Sequence, residues 1–261
     1  MLHYRDTFFI LCLVIIFVKL GGYAQANRVV TDSLNLRVET NIEKYQFRPA
    51  QLITPGVLLA AGITGIYAFQ DSKSHFQDIV SDGSHHTQVD EYLQFVPAAG
   101  YISLGFIPNV KHYNDFKNRF VTATTAYLFS TCITYGLKYT FQERRPDFSD
   151  RHSFPSGHAT RAFTGAELMR IEYGNLIGLS GYACAFAVGI LRMSNDKHWV
   201  NDILGGAAIG ILSARLAYWL LPFEQRLFGW NSNKSIPKDY NLVVCPLGTS
   251  KGASLSFVLI F

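Results

Sequence analysis

The chain has 261 residues, 49% of them hydrophobic and 14% aromatic, enough for a substantial core in one domain with appendages. A formal charge of +4 without a basic, aromatic-rich patch argues against a nucleic-acid partner. Beyond Cys12, which lies in an N-terminal apolar run, the odd set Cys132, Cys184 and Cys245 cannot close completely into disulfides.

Residues 1–26 read as a cleaved signal peptide. Arg5 precedes an apolar run from Phe8 to Leu20, and Ala24-Gln25-Ala26 fits the small-residue pattern before a cleavage site. Residues 27–48 are a polar arm rich in Asn, Glu, Arg and Thr, and residues 49–222 are expected to form one helical domain.

Pro49 and Pro55 bracket the entry to a first apolar helix, about Leu52 to Phe69. The polar linker that follows contains His85 and His86 but no obvious third metal ligand, so it reads as a solvated loop. A second apolar segment, about Tyr92 to Ile107, stops at Pro108, and a third, about Arg119 to Tyr139, delivers Lys138 at its end. The loop to Phe154 carries Arg144, Arg145, Asp147, Asp150, Arg151 and His152, the composition of an active-site rim.

The fourth helix begins at Ser156, an N-cap after Pro155, and runs to about Tyr173. Arg161, Glu167, Arg170 and Glu172 interrupt its apolar face and make it a poor lipid-facing span. The fifth, about Leu176 to Met193, delivers Arg192. The sixth, about Val200 to Leu221, carries small residues at Gly205 to Ala208 for close packing and is expected to end at Pro222. Cys132 and Cys184 fall in apolar helical sequence and read as buried free thiols. Residues 223–261 form an extension whose last two apolar runs read as a β-hairpin around a Gly-containing turn.

Three clusters stand out along this order: Lys138 with Arg145-Pro146, then Pro155-Ser156-Gly157-His158, then Arg192 with His198 and Asp202. Each alone has an ordinary reading, as a solvated helix end, a capped helix or a surface pair. Together they bring three cations, two imidazoles and one carboxylate, the parts needed to hold a tetrahedral oxyanion and attack it without a metal. Arginine offers a planar fork for two phosphate oxygens, and free N–H groups at a helix start bind anions. His198 and Asp202 are four residues apart, so a helical turn lets the carboxylate fix one ring nitrogen and leave the other free.

The spacing Lys-x6-Arg-Pro, Pro-Ser-Gly-His and Arg-x5-His-x3-Asp resembles the signature of the type 2 phosphatidic acid phosphatase superfamily, which also contains periplasmic acid phosphatases and vanadium haloperoxidases. Leu191 stands before Arg192 where that signature has a serine. The resemblance implies an all-α, six-helix core. It implies His198 as nucleophile, His158 as general acid and base, and Asp202 as the residue orienting His198. Lys138, Arg145, Ser156, Gly157 and Arg192 would hold the phosphate, with no metal and no cofactor.

The expected protein is thus a phosphatase of the bacterial cell envelope. It hydrolyses a phosphomonoester or a pyrophosphate, its partner is a phosphorylated lipid or a small phosphoester, it associates with the membrane, and a homo-oligomer is left open. A vanadate-dependent haloperoxidase and a non-catalytic envelope scaffold are the alternatives. Lys111, Lys117 and Arg119 follow the second segment, whereas Gln70 to Gln88 contains only Lys73. With positive loops preferring the cytoplasm, the expectation is a periplasm-facing site in a body of which not every helix crosses the membrane.

Overall fold

The computed structural model describes residues 47–68, 75, 77–81, 87–108 and 110–230, and the backbone of 241–249 and 252–260. The signal peptide, nearly all of the polar arm, His85 and His86, and the side chain of Cys245 lie outside the described residues. Residues 1–224 and 225–261 separate into two units.

A 3-10 turn at Pro49–Leu52 opens into α1, Ile53–Ala68. Then come α2, Val89–Leu93, α3, Val96–Ser103, and α4, Phe116–Phe141. The last three are α5, Gly157–Tyr173, α6, Asn175–Ser194, and α7, Val200–Leu227. The described residues therefore hold seven α-helices rather than six, because the second apolar segment is broken between α2 and α3. Pro97 lacks the N–H that would continue a helix from α2 and sits in the first turn of α3, where that loss is harmless.

Pro222 does not end α7, which continues to Leu227. Proline costs the helix one hydrogen bond, but the turn beyond it is tied to α4, where the Thr125 hydroxyl donates to Glu224 Oε1 at 2.5 Å.

The central element is α5, which packs against α3, α4 and α6. Close approach explains its neighbours' glycines: a Cβ on Gly206 or Gly210 of α7 would fall 2.8 Å from Ser156 O or 2.7 Å from Thr160 O. The charges of α5 turn inward rather than toward lipid. Glu167 is fully buried between Arg170 (2.6 Å) and Arg215 (2.7 Å). Glu172, also fully buried, accepts from Asn114 N–H at 2.6 Å and from the Tyr218 hydroxyl at 2.7 Å. Buried carboxylates persist when paired and hydrogen-bonded like this.

Apolar side chains also point outward, among them Ile53 and Val57 of α1, Phe120 and Leu128 of α4, and Leu179, Phe186 and Ile190 of α6. Three helical stretches, Pro49–Tyr67, Asn175–Ser194 and Val200–Leu227, are long and apolar enough to cross a membrane. Cys184 is buried and free, as its surroundings suggested, but Cys132 is exposed, since it sits on the outer face of α4.

Candidate active site

Lys138 lies in the last turn of α4, Ser156 caps α5, Arg192 lies in the last turn of α6, and His198 precedes α7. Two helix ends and two helix starts thus deliver these residues to one cleft of about 370 Å³. Lys138, Arg145, Gly157, His158, Arg192 and His198 all line it.

His198 is almost wholly buried, and its Nδ1 lies 3.2 Å from Asp202 Oδ2. That carboxylate oxygen also accepts from Trp199 N–H at 2.8 Å and from the Ser153 hydroxyl. With Nδ1–H held by Asp202, the Nε2 lone pair is the free one. Burial first, and then the charges of Lys138, Arg192 and Arg145, push the His198 pKa well below the ordinary histidine range. The imidazole is neutral and therefore nucleophilic. The turn after α6 fixes its position: Lys197 and His198 N–H groups both donate to the Arg192 carbonyl, at 3.0 and 3.3 Å. Asp196 takes the left-handed conformation there, at φ 55°.

His158, the second residue of α5, has Nε2 3.1 Å from Glu91 Oε2, an ion-pair distance without hydrogen-bond alignment. Burial and then Arg192 lower its pKa, while Glu91 pulls it back up. Each motif cation has an acceptor. Lys138 Nζ donates to His152 O at 2.5 Å, Arg145 Nε to Asp150 Oδ1 at 2.9 Å, and Arg192 Nη1 to Asp90 Oδ2 at 2.6 Å.

Ser156 and Asp202 are fully buried behind the cleft wall. The Ser156 hydroxyl accepts from Ala159 N–H at 3.5 Å, and its N–H donates to Asp202 O at 3.0 Å. It therefore fixes the start of α5 against α7. Of the rim residues, His152 lines the cleft, while Arg144 stacks on Phe148 at 4.7 Å. The rim is cross-tied rather than loose: Lys197 Nζ pairs with Asp147 at 2.7 Å and Asn201 Nδ2 donates to Glu143 at 2.9 Å.

Sequence reasoning missed Asp90, Glu91 and Ser153. Two acids ahead of an apolar run look like ordinary first-turn helix charges, and nothing local marks their reach to Arg192 and His158. Asp90, Glu91 and His158 could each offer a donor to a metal, their atoms lying within 4.8 Å of one another. Arg192 Nη1 already stands 2.6 Å from Asp90 and 3.7 Å from Glu91, so a guanidinium answers both carboxylates and the set does not fit a cation.

Fold and site together define a helical body with a cation-lined cleft built around a histidine–aspartate pair. Residues 119–226, which hold every motif residue, match the PAP2 superfamily. It is 37% identical over 142 residues to the lipid A 1-phosphatase of Porphyromonas gingivalis, covering 53% of this chain and 32% of that protein. It is 26% identical over 139 residues to the probable lipid phosphate phosphatase beta of Arabidopsis thaliana, covering 39% of this chain and 65% of the relative. The matched stretches thus span about a third and about two thirds of those curated relatives. Among solved structures, that of Aquifex aeolicus LpxE aligns with a TM-score of 0.42 and 20% identity, over 56% of this chain and 93% of that one.

Proposed function

We propose that this chain is a metal-independent phosphatase of the cell envelope acting on a lipid phosphate. The observation that carries this reading is the buried His198, held by Asp202 at 3.2 Å at the wall of a cleft lined by Lys138, Arg145 and Arg192. The P. gingivalis relative is described as a lipid A 1-phosphatase, and the three apolar helical stretches suit a membrane-borne substrate.

His198 Nε2 attacks phosphorus, and a phosphohistidine forms as the P–O bond to the leaving group breaks. Asp202 stabilises the resulting imidazolium through Nδ1–H. His158 gives its proton to the leaving oxygen, then takes one from the water that hydrolyses the P–N bond. Lys138, Arg145, Arg192 and the Gly157 N–H hold the non-bridging oxygens. Phosphate must compete with Asp90 and Asp150 for two of these cations.

Residues 1–26 are read as the export signal and 27–48 as an arm, ahead of the catalytic helices. The C-terminal hairpin is read as an appendage outside the catalytic helices, supported by antiparallel backbone pairing from Asn241 opposite Ile260 to Thr249 opposite Gly252.

Phosphate release by the purified full chain, assayed on lipid A 1-phosphate, phosphatidic acid, phosphatidylglycerol phosphate, a polyprenyl diphosphate and a soluble phosphoester, tests the reading. Release from at least one lipid, lost in His198→Ala, is expected. Release from the soluble ester alone would remove the lipid from the proposal.

A further inference from the structure

The turn that carries His198 also fastens the short helix α2. Asn195 closes α6, its N–H donating to the Leu191 carbonyl at 2.9 Å, and its side chain is buried. That amide spans the gap to the start of α2. Its Oδ1 accepts from Thr87 N–H at 3.1 Å, and its Nδ2 donates to Thr87 O at 2.9 Å and to Asp90 Oδ1 at 3.1 Å. An asparagine amide offers an acceptor and two donors in one plane, so Asn195 grips both backbone groups of Thr87 and still has a proton for Asp90. The other oxygen of Asp90 takes Arg192 Nη1 at 2.6 Å, so this buried carboxylate is divided between Asn195 and Arg192.

α2 needs such a grip. Five residues are too few to hold a helix by themselves. Val89 and Leu93 bury their side chains in the core, but apolar packing is non-directional and leaves the angle about the helix axis loosely set. The side chain for which that angle matters is Glu91, half-exposed and next to Asp90, since its Oε2 lies 3.1 Å from His158 Nε2. Arg192 of α6 and Arg161 of α5 oppose a proton on His158, and Lys138 of α4, Arg145 and His152 of the rim and His198 share its cleft. Glu91 favours that proton.

We infer that Asn195 is a positioning residue for the acid–base step: by fixing Thr87 and Asp90 it holds Glu91 against His158, so the turn that delivers the nucleophile also sets the carboxylate that serves its acid–base partner. This rests on the phosphatase reading above. Asn195 stands outside the lining of the cleft and acts through α2.

The test is titration of the His158 imidazole by NMR in the full chain in detergent, with labelled histidine and the signal assigned by its loss in His158→Gln. Wild type, Asn195→Ala, Glu91→Gln and the double variant are compared. Asn195→Ala should lower the His158 midpoint, as Glu91→Gln does, because the carboxylate is no longer held against the ring. The double variant should titrate with Glu91→Gln, since the loss of Asn195 has nothing left to act through once the carboxylate is gone. Asn195→Ser, whose hydroxyl is too short to reach Thr87 and Asp90 together, should match Asn195→Ala and replaces it if alanine unfolds the chain.

An Asn195→Ala midpoint equal to that of wild type, even with a lowered Tm, would leave Asn195 a structural residue and overturn the proposal. So would a Glu91→Gln midpoint equal to that of wild type, or a double variant that titrates below Glu91→Gln and so reaches His158 by another route. Phosphate release from phosphatidic acid and lipid A 1-phosphate is followed across pH alongside, and the alkaline limb of kcat/KM should move with the midpoint. Absence of release in wild type counts against the phosphatase reading, while the titration still decides the role of Asn195.

Discussion

Glu91 Oε2 lies 3.1 Å from His158 Nε2, so an exposed carboxylate from a five-residue helix reaches the imidazole at the start of α5. The contact opposes burial and Arg192, the two largest causes that lower the His158 pKa. His158 must be protonated to serve the leaving group, and His198 must be neutral to attack. Both pKa values lie below the ordinary value of about 6.5. Activity should therefore be greatest on the acid side of neutrality and fall as pH rises through the His158 value. In Glu91→Gln that alkaline limb should move to lower pH, because the carboxylate that favours the imidazolium is gone. A pH profile of kcat/KM with a poor leaving group reads this directly. An unmoved limb would remove Glu91 from the proton inventory.

Asp90 and Arg192 make the buried counterpart of that contact, 2.6 Å apart with both side chains under one tenth exposed. Removing one partner of a buried pair costs about 3–5 kcal/mol because the other charge is stranded. Asp90→Ala should lower Tm in detergent, and added phosphate should restore more of it than in wild type, since phosphate then meets an unopposed Arg192. Equal phosphate stabilisation in both proteins would count against Arg192 as a phosphate ligand.

Lys138, Arg145, His158, Arg192, His198 and Asp202 were legible in the sequence because charged residues are rare in such apolar surroundings and each sits beside a helix end marked by Pro, Gly or a loop. Ser156 was legible as an N-cap, though its hydroxyl faces the α5 backbone rather than the cleft. Asp90 and Glu91 were not, because their partners lie about a hundred and about seventy residues away and no periodicity encodes such a contact. Arg161 read as a charge interrupting an apolar face. Pro222 read as a stop because the Thr125 to Glu224 tie that holds the next turn is tertiary. The break ahead of Pro97 was passed over because the flanking residues are apolar enough to read as one helix.

Activity should survive a strong chelator in excess and be inhibited by vanadate. The cations facing the phosphate are side chains, and Asp90 and Glu91 are answered by Arg192 rather than open to a divalent ion. Complete loss of phosphate release in the chelator, restored by a divalent ion, would contradict this.

The site gathers at one end of α4 to α7, so its exposure depends on which way those helices face. A tag at Ser149, in the rim loop, should be cleaved when protease is added to spheroplasts, as a periplasm-facing site requires. A tag protected until the inner membrane is lysed would place the cleft in the cytoplasm.

The most direct measurement is to identify the residue that carries the phosphoryl group. With terminally labelled lipid substrate and rapid quenching, wild type and His158→Ala should yield an acid-labile, alkali-stable phosphoenzyme whose label maps to the peptide bearing His198. His198→Ala should take no label and retain less than about a hundredth of the wild-type rate, beyond what loss of an acid–base group alone explains. Label on another residue, or steady turnover by His198→Ala, would show that His198 is not the nucleophile.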